Sequence, residues 1–285
     1  MIAVLLALVA SLCNATASVL QRRGTLAVPE GAGPLLFART LLRRPVWLAG
    51  IAALIGGFVL QAAALGFGGL SLVEPLLVME LPFTMLIIAL FFRARLSAQT
   101  WLATVAMTAG LAGLLVAAAP GAGISAPATA DWVLAALGVA CAIAAMLVAA
   151  WLVRGSRRTV LLGAATGVGF AFTAALMKGS TGILKSDPVQ ALTSWQPYAM
   201  VATGLFSLML LQVTLHSGTL VAAQPPLTII DPVASIILGA LLFDEPIRAG
   251  PWIALELVGV GLIVYGAIEI SRTPAFHGAA VPLAE

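Results

Sequence analysis

The chain has 285 residues, of which 61% are hydrophobic and only 9% are charged, whereas a soluble domain carries about 25% charged residues. So few charges cannot cover the surface of a water-soluble protein. This excludes a cytosolic enzyme, a secreted disulfide scaffold, a disordered tail and a nucleic-acid binder. We therefore predict an all-α integral membrane protein with several spans. Cys13 and Cys141 both lie in apolar stretches, and we interpret them as small core residues.

Nine apolar segments come close to the roughly 20 residues that a membrane-spanning helix requires. In chain order, the predicted spans are 2–20, 46–66, 71–92, 98–118, 131–153, 159–177, 195–215, 219–242 and 251–270. The third and the eighth contain both acids and prolines, which a span tolerates where those groups face protein or a cavity.

The basic residues predict the orientation of these spans. Arg22 and Arg23 follow the first span and no basic residue precedes it. This is the reverse of a secretory signal peptide, so we expect the segment to remain in the mature protein. With the N-terminus outside, 11 of the 14 basic residues become cytoplasmic, and only Lys178, Lys185 and Arg248 are external. Because positive charge is retained on the cytoplasmic side, we predict an N-out, C-in protein of the plasma (cytoplasmic) membrane.

The longest connection is 21–45. Within it, leucines alternate with arginines over 34–44, which predicts a short helix at the cytoplasmic interface; a shortened tenth span is the alternative. Residues 119–130 are rich in Gly and Ala, and we expect them to form a flexible external linker. The tail 273–285 is too short to fold alone.

The two halves of the chain resemble each other at an offset of about 150 residues. The matching pairs are Leu60-Gln61 and Leu211-Gln212, Glu74-Pro75 and Gln224-Pro225, Pro82 and Pro232, Trp101 and Trp252, and Gly110-Leu111 and Gly261-Leu262. They predict repeats at 1–118 and 159–272, joined by the linker and span 5 at 119–158. Equivalent spans are five spans apart, and consecutive spans cross the membrane in opposite directions. The second copy therefore has the inverted orientation in the membrane. Inverted repeats underlie many secondary transporters, whose substrate site lies near the bilayer midplane.

Two acids fall near the middle of spans that are equivalent in the repeat, Glu80 in the third and Asp231 in the eighth. An ionisable group at this depth costs about 2.5–3.5 kcal/mol, so we interpret both as site residues. Structural roles remain as alternatives. A protonated Glu80 could hydrogen-bond a neighbouring helix, and Asp231 could pair with a hydroxyl such as that of Thr228 or Ser235.

Prolines adjoin both acids, and we expect them to disrupt both helices. They are Pro75, Pro82, Pro225, Pro226 and Pro232. Each proline lacks an N–H and frees a carbonyl one turn back. Carbonyl and carboxylate oxygens together suit a cation or a proton, so we predict a site in which Glu80 and Asp231 are the ligands of a cation, including a metal ion.

Four further polar residues complete the predicted substrate or cation pathway. Glu74, near the outer end of span 3, and Gln224, near the inner end of span 8, occupy symmetric gate positions. Asn14 and Gln61 either line the pathway or hydrogen-bond between helices. The stretch 163–167 has the GxxxG pattern, which predicts close helix packing.

No catalytic or nucleotide-binding motif is present, so we expect neither an enzyme nor a resident cofactor. Without an ATP-binding motif, any active transport must draw on an ion gradient, and H⁺ and transported Mg²⁺ are the candidate ions. As partners we expect the lipid bilayer and a small solute or cation, with no nucleic acid. A second copy of the chain, forming a homodimer, is a further candidate partner.

Several motifs carry a resemblance to a known superfamily. Ala240–Pro246 and Trp252 with Val258–Ile263 carry the resemblance to the superfamily, and Val19–Gly24, Arg44–Gly50 and Leu72–Leu76 carry the resemblance to one branch of it. Through them the whole chain resembles the drug/metabolite transporter (DMT) superfamily. Within it, the chain looks most like the nine-span, NIPA-type magnesium-transporter branch and the EamA-like proteins of nine to ten spans. The resemblance implies a helical secondary transporter that works by alternating access, and it leaves the cargo open.

Three functions are compatible with the sequence. The first is a divalent-cation transporter in which Glu80 and Asp231 bind the ion directly or through water. The second is an exporter of a small metabolite or cationic drug, in which the acid of each half exchanges a proton for the substrate. The third is a non-transporting membrane scaffold, which would need neither buried acids nor an inverted repeat.

Overall fold

The computed structural model describes residues 1–26, 40–91, 96–121, 123–124, 127–218, 220–248 and 250–273. Across these ranges the protein is helical, without strands, and nine helical segments are long and apolar enough to cross a membrane. The predicted helical class and number of spans are therefore confirmed for the described part of the chain.

The helices are α1 (Ile2–Leu26), α2 (Pro45–Phe67), α3 (Leu70–Leu77), α4 (Glu80–Phe91), α5 (Ala98–Ala118), α6 (Thr129–Leu152), α7 (Ser156–Ser186), α8 (Pro188–Thr193), α9 (Gln196–Ser217), α10 (Leu220–Phe243) and α11 (Trp252–Arg272). α3 and α4 together form one span, and α8 is too short to form one. Local signals explain several helix starts. Pro45 opens α2, and the Ser97 hydroxyl caps α5 by accepting the N–H of Thr100 at 3.1 Å.

Small residues allow the helices to pack closely. α1 and α2 form an antiparallel pair in which Gly24 lies against Trp47. α5 and α11 form a second antiparallel pair in which Gly110 faces Gly259. α7 is the central helix, because it packs against α6, α9 and α10 and also reaches α2. In lipid, where apolar burial between helices gives little gain, such close contacts supply much of the packing energy.

The predicted sixth span, 159–177, is too short. α7 continues without interruption to Ser186, so Lys178 lies inside the helix and is only 8% exposed. Its assignment to an external loop is therefore wrong. A charge marks the end of a span only when it reaches water, and Lys178 instead has a buried partner.

The prolines act differently in the two spans that carry acids. The third span divides at Val78 and Met79, where the hydrogen bonds shorten to i→i−3. The N–H of Val78 donates to the carbonyl of Pro75 at 3.2 Å. α10, by contrast, is one continuous helix although three prolines lie inside it. The third span is therefore interrupted between Pro75 and Pro82, whereas the disruption that we expected in the eighth span does not occur.

Eight of the nine arginines that the structure describes lie at one end of the bundle, called here the arginine end. They are Arg22, Arg23, Arg43, Arg44, Arg154, Arg157, Arg158 and Arg272. At the other end, called here the opposite end, α3 begins and α10 terminates. The predicted interfacial helix 34–44 and the tail 273–285 fall largely on 27–39 and 274–285, which lie outside the described residues.

Residues 119–130 are held in place where they are described, at the opposite end of the bundle. The N–H of Gly121 donates to the carbonyl of Pro246 at 3.1 Å, and the N–H of Ile124 donates to the carbonyl of Phe243 at 2.7 Å. The segment therefore crosses the end of α10. Where the sequence predicts a flexible linker, the structure thus shows two backbone hydrogen bonds that attach Gly121 and Ile124 to the bundle.

Replacing Gly110 with Ala should destabilise the protein, because the new Cβ would lie 2.6 Å from the carbonyl oxygen of Gly259. Overpacking of this kind typically costs about 1–3 kcal/mol. Gly113→Ala in the same helix is the matched control, since a Cβ there meets nothing within 4 Å. Thermal unfolding in detergent should show a lower midpoint for Gly110→Ala than for the control. Equal midpoints would contradict the close crossing of α5 and α11.

Candidate functional site

A cavity of about 550 Å³ lies at mid-depth in the bundle, with walls from α1, α2, α3, α4, α7, α9 and α10. Its polar lining consists of Asn14, Ser18, Gln61, Glu74, Glu80, Thr173, Gln224, Thr228 and Asp231. All six residues predicted as substrate or cation ligands are in this set. The predicted helix breaker Pro232 also lines the cavity. The fold thus brings together residues that lie more than 200 positions apart in the sequence.

Close packing of α7 on α10 positions Asp231. Gly163 lies against Pro226, and a Cβ at Gly167 would lie only 3.0 Å from the backbone nitrogen of Asp231. The close packing predicted from the GxxxG pattern is therefore confirmed. Because no side chain separates the two backbones here, Asp231 is held at the cavity wall.

The division between α3 and α4 positions the other two acids. Glu74 in α3 accepts a hydrogen bond from Gln61 Nε2 at 2.9 Å and is only 4% exposed. It therefore lies under other helices, although the sequence places it about one turn from external water. Glu80, at the start of α4, accepts a hydrogen bond from the Ser18 hydroxyl at 2.8 Å. The hydrogen bond from a neighbouring helix considered for Glu80 is thus present.

The acid whose charge acts on Asp231 is Glu74. When both are charged, the two carboxylates repel each other across the cavity that they both line. Glu80 lines the same cavity, but it is Glu74 that forms the electrostatic pair with Asp231. Two carboxylates in a desolvated site cannot both stay charged without a counter-charge, so the pair is suited to hold a proton or a cation.

Two oxygen atoms at the cavity have no hydrogen-bond partner within the described protein, Asn14 Oδ1 and Asp231 Oδ1. Thr228, considered as a partner of Asp231, instead donates to the carbonyl of Gln224 at 3.0 Å. Ser235 remains near Asp231, one turn further along α10. Buried acceptors without a donor are costly, so these atoms suit a ligand that donates hydrogen bonds or carries positive charge.

The rest of the cavity wall is largely apolar. It is formed by Leu54, Phe58, Leu77, Val78, Leu81, Phe170, Ala174, Met177, Leu208, Leu211 and Leu227 among others. Apolar walls with aromatic rings and a few carboxylates are typical of sites for organic cations. Among the residues that the structure describes, no three His, Cys, Asp or Glu side chains form a group that could hold a metal ion.

Buried side chains close the bundle at the opposite end, and we call this group the seal. It consists of Leu70, Val73, Trp132, Lys178, Phe243 and Glu245. The carboxylate of Glu245 accepts the backbone N–H of Leu70 at 2.6 Å and that of Ser71 at 2.8 Å, and it forms an ion pair with Lys178. A carboxylate at the first turn of α3 also meets the positive end of the helix dipole.

Local backbone geometry explains why Glu245 reaches this position. Asp244 ends α10 with a φ of 50°, a left-handed conformation that turns the chain back on the helix. Three glycines leave room for the Glu245 side chain. A Cβ at Gly69, Gly123 or Gly239 would lie 2.9, 2.8 or 2.6 Å from one of its atoms.

Aromatic rings complete the seal around the charged pair. The ammonium group of Lys178 lies 4.0 Å from the centroid of the Phe243 ring, a cation–π contact. Trp132 packs edge-on against Phe243 with ring centroids 5.9 Å apart. The seal adjoins the cavity directly, because Val73 and Lys178 are sequence neighbours of the cavity residues Glu74 and Met177.

The Lys178–Glu245 pair is absent from the sequence-based site prediction, in which Lys178 is an external charge and Glu245 is only part of a motif. One signal was present, since Ile183 and Leu184 continue the apolar pattern beyond Lys178. A single lysine inside an apolar helix needs a buried partner. The identity of that partner depends on the chain reversal at Asp244, which the sequence pattern does not reveal.

No family model and no solved structure matches this chain. An uncharacterized protein of Corynebacterium glutamicum is 29% identical to it over 282 residues, which cover 96% of each chain. The similarity therefore extends over nearly the whole protein, and the name of the relative assigns no function.

Lys178→Met should destabilise the protein by about 3–5 kcal/mol, because it removes the counter-ion of a buried carboxylate. Lys185→Met is the matched control, since Lys185 lies two turns further along α7, is exposed, and contacts the Gly66 carbonyl and the Phe67 ring without a carboxylate partner among the described residues. The double variant Lys178→Met/Glu245→Met should recover much of the loss. Unfolding in detergent measures this cycle, and additive effects of the two substitutions would show that the charges do not interact.

Proposed function

We propose that this protein is a secondary membrane transporter of the DMT superfamily that moves a small cationic solute by alternating access. The observation that carries the proposal is the mid-depth cavity, to which Glu74, Glu80 and Asp231 bring acid groups from distant parts of the chain. Acids at this depth are costly and are typically retained for binding ions or protons. A scaffold that only holds a partner needs no such cavity.

The packing of the helices supports two inverted repeats. α1 packs against α2, α3 and α4, which follow it in the chain, and α7 likewise packs against α9 and α10. The last helices of the two halves, α5 and α11, pair with each other. This arrangement is expected when spans 1–4 and 6–9 are related by a two-fold axis. The cavity then lies between the halves, where rocking of one against the other changes access.

The distribution of charge supports an N-out, C-in orientation in the plasma membrane. With Lys178 buried in α7, the described basic residues at the opposite end reduce to Lys185 and Arg248. The arginine end then carries nearly all of the positive charge that the positive-inside rule counts. We therefore assign the arginine end to the cytoplasm and the seal to the external side.

The size and walls of the cavity favour an organic cation as the cargo. Its volume of about 550 Å³ falls within the range of small-molecule sites. Phe58 and Phe170 line the cavity, and aromatic rings attract positive charge. The Glu74–Asp231 pair holds a proton when the cavity lacks cargo and releases it when a cation binds, which couples export to the proton gradient.

A divalent cation such as Mg²⁺ is the second candidate, favoured by the electrostatic interaction of Glu74 and Asp231 in one cavity. Mg²⁺ keeps several waters and needs only one or two carboxylates. It therefore does not require the group of three ligands that is lacking among the described residues. We rank it second because the apolar wall offers no partner to the water shell of a hydrated ion.

Flux measurements in proteoliposomes separate the candidates. We expect the protein to exchange tetraethylammonium for protons when a proton gradient is imposed, and an internal pH dye measures this exchange. We expect no transport of Mg²⁺, which an entrapped indicator measures. Asp231→Asn should reduce the flux about tenfold or more, because it removes one charge of the pair while preserving shape. Asp131→Asn is the matched control, since Asp131 caps α6 away from the cavity.

Each alternative has its own outcome. If the protein transports Mg²⁺ and Asp231→Asn abolishes that transport, the cargo is the divalent cation and not the organic cation. If neither ion is transported and no solute in a broad panel stabilises the protein thermally, the non-transporting scaffold is the remaining function.

A further inference from the structure

We infer that α3 is a moving gate, whose N-terminus is held by Glu245 and released when a cation binds at Glu74 on the same helix. The inference rests on the proposed transport function, because a gate has a role only if the cavity must open to the opposite end. It assigns Glu245 and Lys178, which the sequence did not bring into the site, to control of access.

α3 is a short rigid segment between two hinges. It has eight residues and is therefore about 12 Å long. Before it, Gly68 and Gly69 have extended backbone and separate it from α2. After it, the i→i−3 hydrogen bonds at Val78 and Met79 separate it from α4. Glycines and mid-helix turns of this kind absorb changes of backbone angle, so α3 can tilt while α2 and α4 keep their positions.

The two ends of α3 carry different interactions. Its first residues, Leu70 and Ser71, donate their N–H groups to Glu245. One turn further on, Glu74 lines the cavity, accepts a hydrogen bond from Gln61, and is repelled by the charge of Asp231. A cation that draws Glu74 toward the cavity moves the same rigid helix whose N-terminus Glu245 holds. Binding and closure are thus linked through one two-turn element.

The groups that bind Glu245 belong to different halves of the protein. α3 is part of the first half, whereas Lys178 and Glu245 both belong to the second. When α3 leaves, its two backbone hydrogen bonds to Glu245 break and the ion pair with Lys178 stays. Lys178 therefore remains the ionic partner of the carboxylate while α3 moves away, and it holds Glu245 in place for the return of α3, which keeps the opening reversible.

Because the α3 bonds break on opening while the ion pair stays, substitutions of Glu245 and of Lys178 should have opposite effects on the opening of the gate. Glu245→Gln should favour the open gate, because a neutral amide binds the N-terminus of α3 more weakly than a carboxylate does. Lys178→Met should favour the closed gate, because a carboxylate that has lost its counter-ion interacts more strongly with the N–H groups of α3, its remaining partners in the protein. A purely structural ion pair would respond in the same way to loss of either charge.

Labelling of a buried cysteine measures the gate directly. The reporter is Val73→Cys in a Cys13→Ala/Cys141→Ala background, since Val73 is fully buried in the seal. A membrane-impermeant maleimide is added to proteoliposomes from the side of the opposite end. The labelling rate should rise about tenfold in Glu245→Gln and fall below the parent rate in Lys178→Met. Saturating tetraethylammonium should raise the rate in the parent and leave it unchanged in Glu74→Gln.

Matched controls separate gating from loss of charge in general. Lys185→Met removes the next lysine of α7, and Glu269→Gln removes an acid paired with Arg272 at the arginine end. Both should label within twofold of the parent. Size-exclusion chromatography verifies that each variant is folded. If Lys178→Met does not fold, Lys178→Arg, which keeps the ion pair, should label like the parent, and Glu245→Asp, which shortens the acid, should label faster.

The outcomes of labelling and flux are distinguishable. An unchanged rate in Glu245→Gln, or shifts in the same direction in both variants, would overturn the gate. Flux of tetraethylammonium without any change in labelling also overturns the gate and leaves transport intact. Opposite shifts in labelling without flux of either ion would support the gating pair and overturn the proposed transport.

Discussion

The opposite end of this protein is organised around one buried negative charge. Glu245 is 3% exposed, and a carboxylate in so desolvated a place must be neutralised and hydrogen-bonded. An ammonium group supplied by α7 and two backbone N–H groups supplied by α3 meet that requirement. The chain reversal after α10, the small residues around the carboxylate and the aromatic ring beneath the lysine all serve this arrangement.

The carboxylates of the neighbouring cavity also need a counter-charge and hydrogen bonds, but there the described protein does not supply all of them. In the cavity, Asp231 and Glu74 repel each other, and one oxygen of Asp231 lacks a partner within the described residues. The carboxylate in the seal thus has its full set of partners, whereas the carboxylate of Asp231 in the cavity does not. The eight residues of α3 connect the two places. A ligand that completes the cavity acts on the helix that completes the seal, which is why we connect binding with access.

Much of the architecture could be predicted from the sequence. The spans followed from the length of apolar runs, and the six predicted ligand residues all came to line one cavity, because a polar side chain deep in a span must face the protein interior. The end of α7 and the continuity of α10 could not be predicted. Lys178 and three prolines are local signals for stopping a helix, and tertiary contacts outweighed them.

Composition and the length of apolar runs by themselves determined the class of protein, the number of candidate spans and the positions of the acids within them, since each depends only on transfer of residues from water to lipid. Tertiary structure decided which charges meet. The charge of Glu74 acts on Asp231 in one cavity, and Lys178 meets Glu245 across 67 positions. Such pairings depend on helix rotation, on crossing distance and on a single left-handed residue, and none of these has a signature in hydropathy.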